Sequence, residues 1–125
     1  MQYLLSMYYQ EAGDAGLTEE DMKPAMEAFG HYARALTDAG VLVSASVLKP
    51  VDAATTVTSR TGTLQVQDGP FIDSKERLGG VFLIEVTDLD AALAWAERCP
   101  GAQWGSIEVR PAAITVVDGA WVPAD

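Results

Sequence analysis

The chain has 125 residues, 49% of them hydrophobic, with 18 acidic against eight basic side chains and a formal net charge of −10. That length and apolar content suit one folded domain, residues 1–125, with its own core, and argue against disorder. The acidic balance excludes the basic footprint that nucleic acids require, disfavours an anionic membrane surface and leaves a basic protein partner open.

Residues 2–9 are aromatic and aliphatic and read as a buried strand. The preceding Met1 carries no basic signal-peptide start, and no apolar run approaches the roughly 20 residues that span a bilayer. A small, acidic loop over 10–17 leads into a helix ending at Gly40, which suits a C′ glycine. Met22, Met26, Phe29, Ala33 and Leu36 form its expected buried stripe. Asp21 is the expected N-cap, because Pro24 would then fall in the first turn, where its missing N–H costs nothing. Val41–Leu48 reads as a second strand, stopped by Lys49-Pro50. Residues 55–60 and 63–67 read as a hairpin around Thr61-Gly62.

Residues 68–80, Asp-Gly-Pro-Phe-Ile-Asp-Ser-Lys-Glu-Arg-Leu-Gly-Gly, hold the densest cluster of special residue types. Gly69 is free to adopt unusual backbone angles and Pro70 restricts its own φ and its predecessor, so the turn presents its neighbours at fixed angles. Beyond it, Val81–Val86 reads as a strand, and Asp88 caps a helix to about Arg98 with Leu89, Ala92, Leu93 and Ala96 inward. Ile107–Val109 is a strand, and 113–117 with 120–122 a terminal hairpin around Asp118-Gly119.

The order is β-α-β-(ββ)-β-α-β, an α+β ferredoxin-like core with an antiparallel sheet, helices on one face and added hairpins. The other face alternates apolar and polar residues. Val81, Leu83 and Glu85 oppose Phe82, Ile84 and Val86, while Ser44 and Ser46 oppose Val43, Ala45 and Val47. A half-apolar open face needs a cover, and a second copy of the chain is the simplest one. A polar cleft between sheet and partner would follow.

Candidate site residues cluster there. Asp68, Asp73 and Glu108 are candidate acid–base groups, because close carboxylates push their pKa values apart. Asp68, Gly69, Pro70, Phe71, Lys75, Glu76 and Arg110 are candidate ligand contacts. A structural role is equally open to them: Asp68 capping the Gly-Pro turn, and Lys75, Glu76, Glu108 and Arg110 forming ion pairs that hold the loop on the sheet. His31, the one histidine, projects away from its helix stripe toward solvent. Cys99 stands alone, so no intrachain disulfide can form, which fits a reducing cytoplasm; at a helix C-terminus it reads as an inert thiol. Trp95, Trp104 and Trp121 are spread as core or interface anchors. No zinc-type cluster, phosphate loop or nucleophile elbow is present, so no metal or cofactor is expected.

The segment Asp68-Gly69-Pro70-Phe71, then Asp73, Lys75, Glu76 and Leu78-Gly79-Gly80, resembles the DGPF-type branch of the YCII-related family. The resemblance continues through Leu83-Ile84-Glu85-Val86, Asp88–Leu93, Cys99-Pro100 and Glu108-Val109-Arg110-Pro111, and covers roughly Tyr3 to Pro111. Asp73 and Ser74 stand where that pattern has glutamate and threonine. Some YCII-related proteins pair a histidine with an aspartate, whereas here no histidine lies near Asp68 in sequence. The cleft at the dimeric sheet face is expected to bind a small molecule. The resemblance implies a dimeric α+β barrel and names no reaction. It also implies the alternative of a non-catalytic regulatory protein linked to extracytoplasmic-function sigma-factor signalling, with a sigma-factor-related partner.

Overall fold

The elements run β1 (Gln2–Tyr9), α1 (Glu19–Asp38), β2 (Leu42–Val47), β3 (Thr55–Thr58), β4 (Gln65–Asp68), β5 (Arg77–Glu85), α2 (Leu89–Arg98), β6 (Gly105–Pro111), β7 (Ile114–Val117) and β8 (Ala120–Pro123). Short 3-10 turns occupy Val51–Ala53 and Pro100–Gln103. This is a computed structural model that describes residues 1–124. β2, β5, β1 and β6 lie side by side in that order, each pair antiparallel, which is the ferredoxin-like arrangement expected from the element order. β3–β4 and β7–β8 are separate two-stranded ribbons that pack mainly on themselves.

Period-two alternation decides which side chains meet the helices. Tyr3, Leu5 and Met7 of β1 pair with Ile84, Phe82 and Gly80 of β5, and all six are buried. On the helices they meet Tyr32 and Leu36 of α1 and Ala92 and Ala96 of α2, with Cys99 just beyond. The Tyr32 ring stands edge-on to Phe82 at 5.2 Å, and its hydroxyl donates to the Trp95 carbonyl at 2.7 Å, tying the two helices. Aromatic pairs of this kind contribute beyond their buried area. At Gly80 a Cβ would stand 2.7 Å from the Ser46 carbonyl oxygen, so only glycine lets β2 approach β5 there.

Four details differ from the sequence reading. Thr18, not Asp21, caps α1. The Asp21 N–H donates to the Thr18 hydroxyl at 3.2 Å, and the Thr18 N–H donates to the Asp21 carboxylate at 2.8 Å. This reciprocal capping box satisfies two orphan donors. Pro24 consequently sits inside the helix, on its exposed side, where the Glu20 carbonyl can turn to water. Met26 is exposed, and the inward position belongs to Tyr32, whose ring fills the space over Phe82. Leu89 and Leu93 of α2 are also exposed, because the small Ala92 and Ala96 face the sheet and let the helix approach closely. Val43 is an extra residue between the Leu42–Ile84 and Ser44–Leu83 pairs, so Leu42 joins Ala45 and Val47 on the helix side.

The β7–β8 hairpin behaves as expected. Asp118 and Gly119 both take positive φ in the β7–β8 turn, as a two-residue turn of the mirror-image type needs. The β3–β4 loop is longer than expected and spans residues 59–64.

Candidate functional site

The uncovered sheet face can be read in rows from the strand register. Ser44, Leu83, Leu4 and Arg110 form one row, and Ser46, Val81, Ser6 and Glu108 the next. After the second row β5 carries one extra residue, Gly79, so that Tyr8 pairs with Leu78 and with Ser106 of β6. The Tyr9 ring lies against Gly79, and an added Cβ there would have to push that ring aside. The bulge redirects the start of β5, as such insertions do near sites.

At that redirected end lies a cavity of about 580 Å³. One wall is Leu48–Val51 with Ala53 and Ala54, another is Pro70–Ile72 with Ser74 and Glu76, and Tyr8, Arg77 and Leu78 close it. Its volume falls within the range of small-molecule sites. Backbone and side-chain hydrogen bonds fix the walls. The Gly69 N–H donates to the Ala54 carbonyl at 2.7 Å, and the Thr56 hydroxyl donates to the Gly69 carbonyl at 2.8 Å. Gly69 has φ of 100°, so the turn depends on glycine. The Val51 N–H donates to a Glu11 carboxylate oxygen at 2.8 Å, and the Leu48 N–H to the Gly79 carbonyl at 2.8 Å. The Ser74 hydroxyl donates to the Glu76 carbonyl, which tightens the loop before β5.

Arg77 is the polar feature of this cavity. Its side chain is 17% exposed, and Nη2 donates to Asp73 Oδ1 at 3.2 Å. Nε and Nη1 are buried and have no hydrogen-bond acceptor among the described residues. Buried guanidinium donors of that kind carry a desolvation cost that nothing in the fold offsets. Charges of both signs surround it: Glu76 is in the wall, Asp52 lies between Val51 and Ala53, and Glu11 holds the Val51 N–H. Lys49 lies in one wall, Lys75 in the loop, and Arg60 stacks at 5.3 Å over the Phe71 ring. With Arg77 these make four of the eight basic residues.

The candidate residues named from sequence divide between two places. Gly69, Pro70, Phe71, Asp73, Lys75 and Glu76 belong to the cavity loop, and Pro70, Phe71 and Glu76 line it. Asp68 ends β4 opposite Thr55, exposed and without a side-chain hydrogen bond among the described residues, so the Gly-Pro turn is held by Thr56 and Ala54 and not by an Asp68 cap. Glu108 and Arg110 sit on β6 and pair with each other at 3.9 Å. Arg110 is opposite Leu4, four residues along β1 from Tyr8, or about 13 Å at the usual strand rise. The structure therefore brings neither β6 residue into the cavity, and the loop's own ion pair is Asp73–Arg77. His31 is exposed on α1. Burial pushes the Cys99 thiol up, consistent with an inert group. Sequence reading passed over Arg77 and Tyr8. The signal for Arg77 was its place two residues before a Gly-Gly pair, where a strand is redirected.

A second cavity, of about 520 Å³, lies on the helix side between Met22–Phe29, Leu17, Tyr9, Val47 and Trp104. Its lining is mostly apolar, with Tyr9 and Gln10 among its residues, and its one carboxylate, Asp21, is committed to the Thr18 cap. Among the described residues no group of three or more His, Cys, Asp or Glu converges as a metal site, and no helix is long and apolar enough to cross a membrane.

Fold and site together define a ferredoxin-like α+β protein with a cavity under a Gly-Pro loop. A model of the YCII-related domain matches residues 1–113, and the chain belongs to that family. It is similar to an uncharacterised protein of Rhizobium meliloti (strain 1021), with 34% identity over 116 residues, covering 91% of this chain and 94% of the relative.

Proposed function

We propose that the chain is a homodimeric, cytoplasmic protein that binds a small molecule in the cavity beneath the 68–76 loop. The observation that carries the binding site is the cavity of about 580 Å³ between Leu48–Ala54 and the 70–76 loop, closed by Tyr8, Arg77 and Leu78. Asp68, Gly69, Lys75 and the exposed ring of Phe71 belong to the loop that would contact the ligand or its entrance. Asp73 would hold the site's arginine. Exposed apolar residues support the dimer. Phe71 and Ile72 at the loop tip, Val57 and Val66 on β3–β4, and Val116 and Trp121 on β7–β8 are each more than half exposed. Exposed apolar surface of this extent calls for a partner to cover it. A partner seated on that face would lie over Glu108 and Arg110 and could bring its own loop toward them. The cytoplasmic placement rests on a single, buried free thiol, which suits a reducing compartment.

Two measurements test this reading. Light scattering after size exclusion gives the mass, and a mass near one chain of 13.3 kDa would remove the dimer. Amide shifts in a small-molecule NMR screen should map to residues 48–54 and 70–78; shifts that map only to the helix-side groove would remove the site. The exposed β3–β4 hairpin also favours a second reading, a non-catalytic protein linked to extracytoplasmic-function sigma-factor signalling, whose acidic surface takes a basic, sigma-factor-related partner. Loss of that partner on changing Val57 or Val66 to serine, with small-molecule shifts unaltered, would separate the two.

A further inference from the structure

We infer that the helix-side cavity is a second binding site, and that it takes an organic cation, a single positive charge carried on an apolar body. The site is separate from the cavity beneath the 68–76 loop and does not depend on it.

The cavity lies between the first half of α1, the 10–17 loop, Val47 at the end of β2 and Trp104 just before β6. At about 520 Å³ it is large enough for a small molecule. Three aromatic side chains line it, Tyr9, Phe29 and Trp104. The Phe29 and Trp104 rings pack on each other, 5.8 Å between centroids and tilted by 57°, and the Tyr9 hydroxyl donates to the Gly79 carbonyl at 3.3 Å. The aromatic side of the cavity is thus held from both ends. Aromatic rings attract an organic cation through their faces, Trp most strongly. Met22 and Met26 of α1 add flexible apolar surface that can adapt to the ligand's body.

Charge selects the sign of the ligand. Nine of the twelve lining residues fall within 10–29. That stretch holds six acids, Glu11, Asp14, Glu19, Glu20, Asp21 and Glu27, against one base, Lys23, which pairs with Glu20 at 3.0 Å. It carries half of the chain's net charge of −10. Asp21 is the one charged residue in the lining itself, and no basic group pairs with it among the described residues. The Thr18 backbone N–H, then its hydroxyl, hold the Asp21 carboxyl below the usual carboxylate range, so it is ionised at neutral pH. The N-terminus of α1 opposes this with about half a positive charge, which the three carboxylates of its first turn outweigh. An anion approaching this segment is repelled and a cation is drawn in.

Benzyltrimethylammonium is the probe, with neopentylbenzene as its neutral isostere and 3-phenylpropionate as the anion, each titrated into the full chain and followed by NMR. Benzyltrimethylammonium should shift the amides of residues 10–29 and the Trp104 indole Nε1–H, and should bind about three- to tenfold more tightly than the isostere. The anion should leave those resonances in place. Met26 is 68% exposed and Trp104 48%, so changing either leaves the core filled. Met26→Lys sets a like charge at the cavity and should weaken benzyltrimethylammonium about three- to tenfold while sparing neopentylbenzene. Trp104→Leu keeps an apolar wall and removes a ring face, and should weaken the cation more than the isostere. Equal or tighter binding of neopentylbenzene, or a cation affinity that Met26→Lys leaves unchanged, overturns the cation assignment. Shifts at residues 10–29 with 3-phenylpropionate overturn it as well. Absence of shifts at 10–29 with all three probes overturns the site, whatever the amides of 48–54 and 70–78 do.

Discussion

Arg77→Met should make the protein more stable, not less. In the native state two buried guanidinium donors lack acceptors, whereas in the unfolded chain water satisfies them. Each such donor costs about 1–3 kcal/mol. Methionine keeps most of the apolar stem that packs under the loop and removes the charge. What is lost is the Asp73–Arg77 pair, whose carboxylate is 90% exposed, and such pairs contribute about 0–1 kcal/mol. The balance favours the variant by about 1–2 kcal/mol once partial packing loss is allowed. For a chain of 125 residues that is a rise in Tm of about 3–8 °C. Equilibrium urea unfolding of both proteins at one fixed concentration measures it, since any association of copies would make the midpoint concentration-dependent. A loss of more than about 1 kcal/mol would refute the reasoning. It would mean that the arginine holds the loop in place and that its donors find acceptors in solution.

The scaffold makes sharper demands. Gly80→Ala would drive a methyl into the Ser46 carbonyl oxygen and Met7 Cε, so chemical denaturation should show a loss of about 1–3 kcal/mol with β2 amides exchanging fastest. Leu36→Ala empties a fully buried position and should cost about 2–5 kcal/mol in the same assay. Arg110→Ala breaks only an exposed 3.9 Å pair and should change stability by less than about 1 kcal/mol. The Asp21 carboxyl lies below the usual carboxylate range because the Thr18 backbone N–H, then its hydroxyl, favour the ionised form. Its contribution is therefore present above the unfolded carboxyl's pKa and lost as pH falls through the lower folded value. Thermal unfolding of Asp21→Asn and the parent should differ at neutral pH and converge in strong acid; a gap that persists in acid would assign the effect to something other than the carboxylate.

The fold was legible because its elements carry local signals that tertiary packing does not override. Alternation along β1 and β5, the Asp88 cap, the Gly40 stop and the Asp118-Gly119 turn each specify one local geometry. The α1 cap was misread because Pro24 was weighed as a breaker, while the two reciprocal bonds of Thr18 and Asp21 outweigh one lost donor on a wet face. Met26 and Tyr32 were misassigned because an amphipathic stripe gives an angle only to within about a residue, and the larger ring takes the inward place. The loop's importance was legible from Asp68-Gly69-Pro70-Phe71. Its partner wall, Leu48–Ala54, was not, because that contact depends on where β3–β4 folds back. Nor could sequence show that Glu108 and Arg110 stand away from the loop, since that follows from the register of β6 on β1.

Scaffold and chemistry within residues 68–80 fall on different residues. Gly69 makes the turn, Gly79 creates the bulge and Gly80 admits β2, so each glycine serves backbone geometry. The bulge at Gly79 is what separates the two ends of β5. Beyond it Phe82 and Ile84 enter the core, while before it Leu78 and Arg77 turn to the cavity. A regular strand would carry the core alternation on to Leu78, opposite Tyr9; the extra residue instead sets Leu78 opposite Tyr8 on the open face and Arg77 opposite Tyr9. One extra residue thus lets a single strand serve the core at one end and line a cavity at the other, with Leu78 turned to the open face beside Tyr8. The unmet donors of Arg77 are a cost that a purely structural strand end would have no reason to keep.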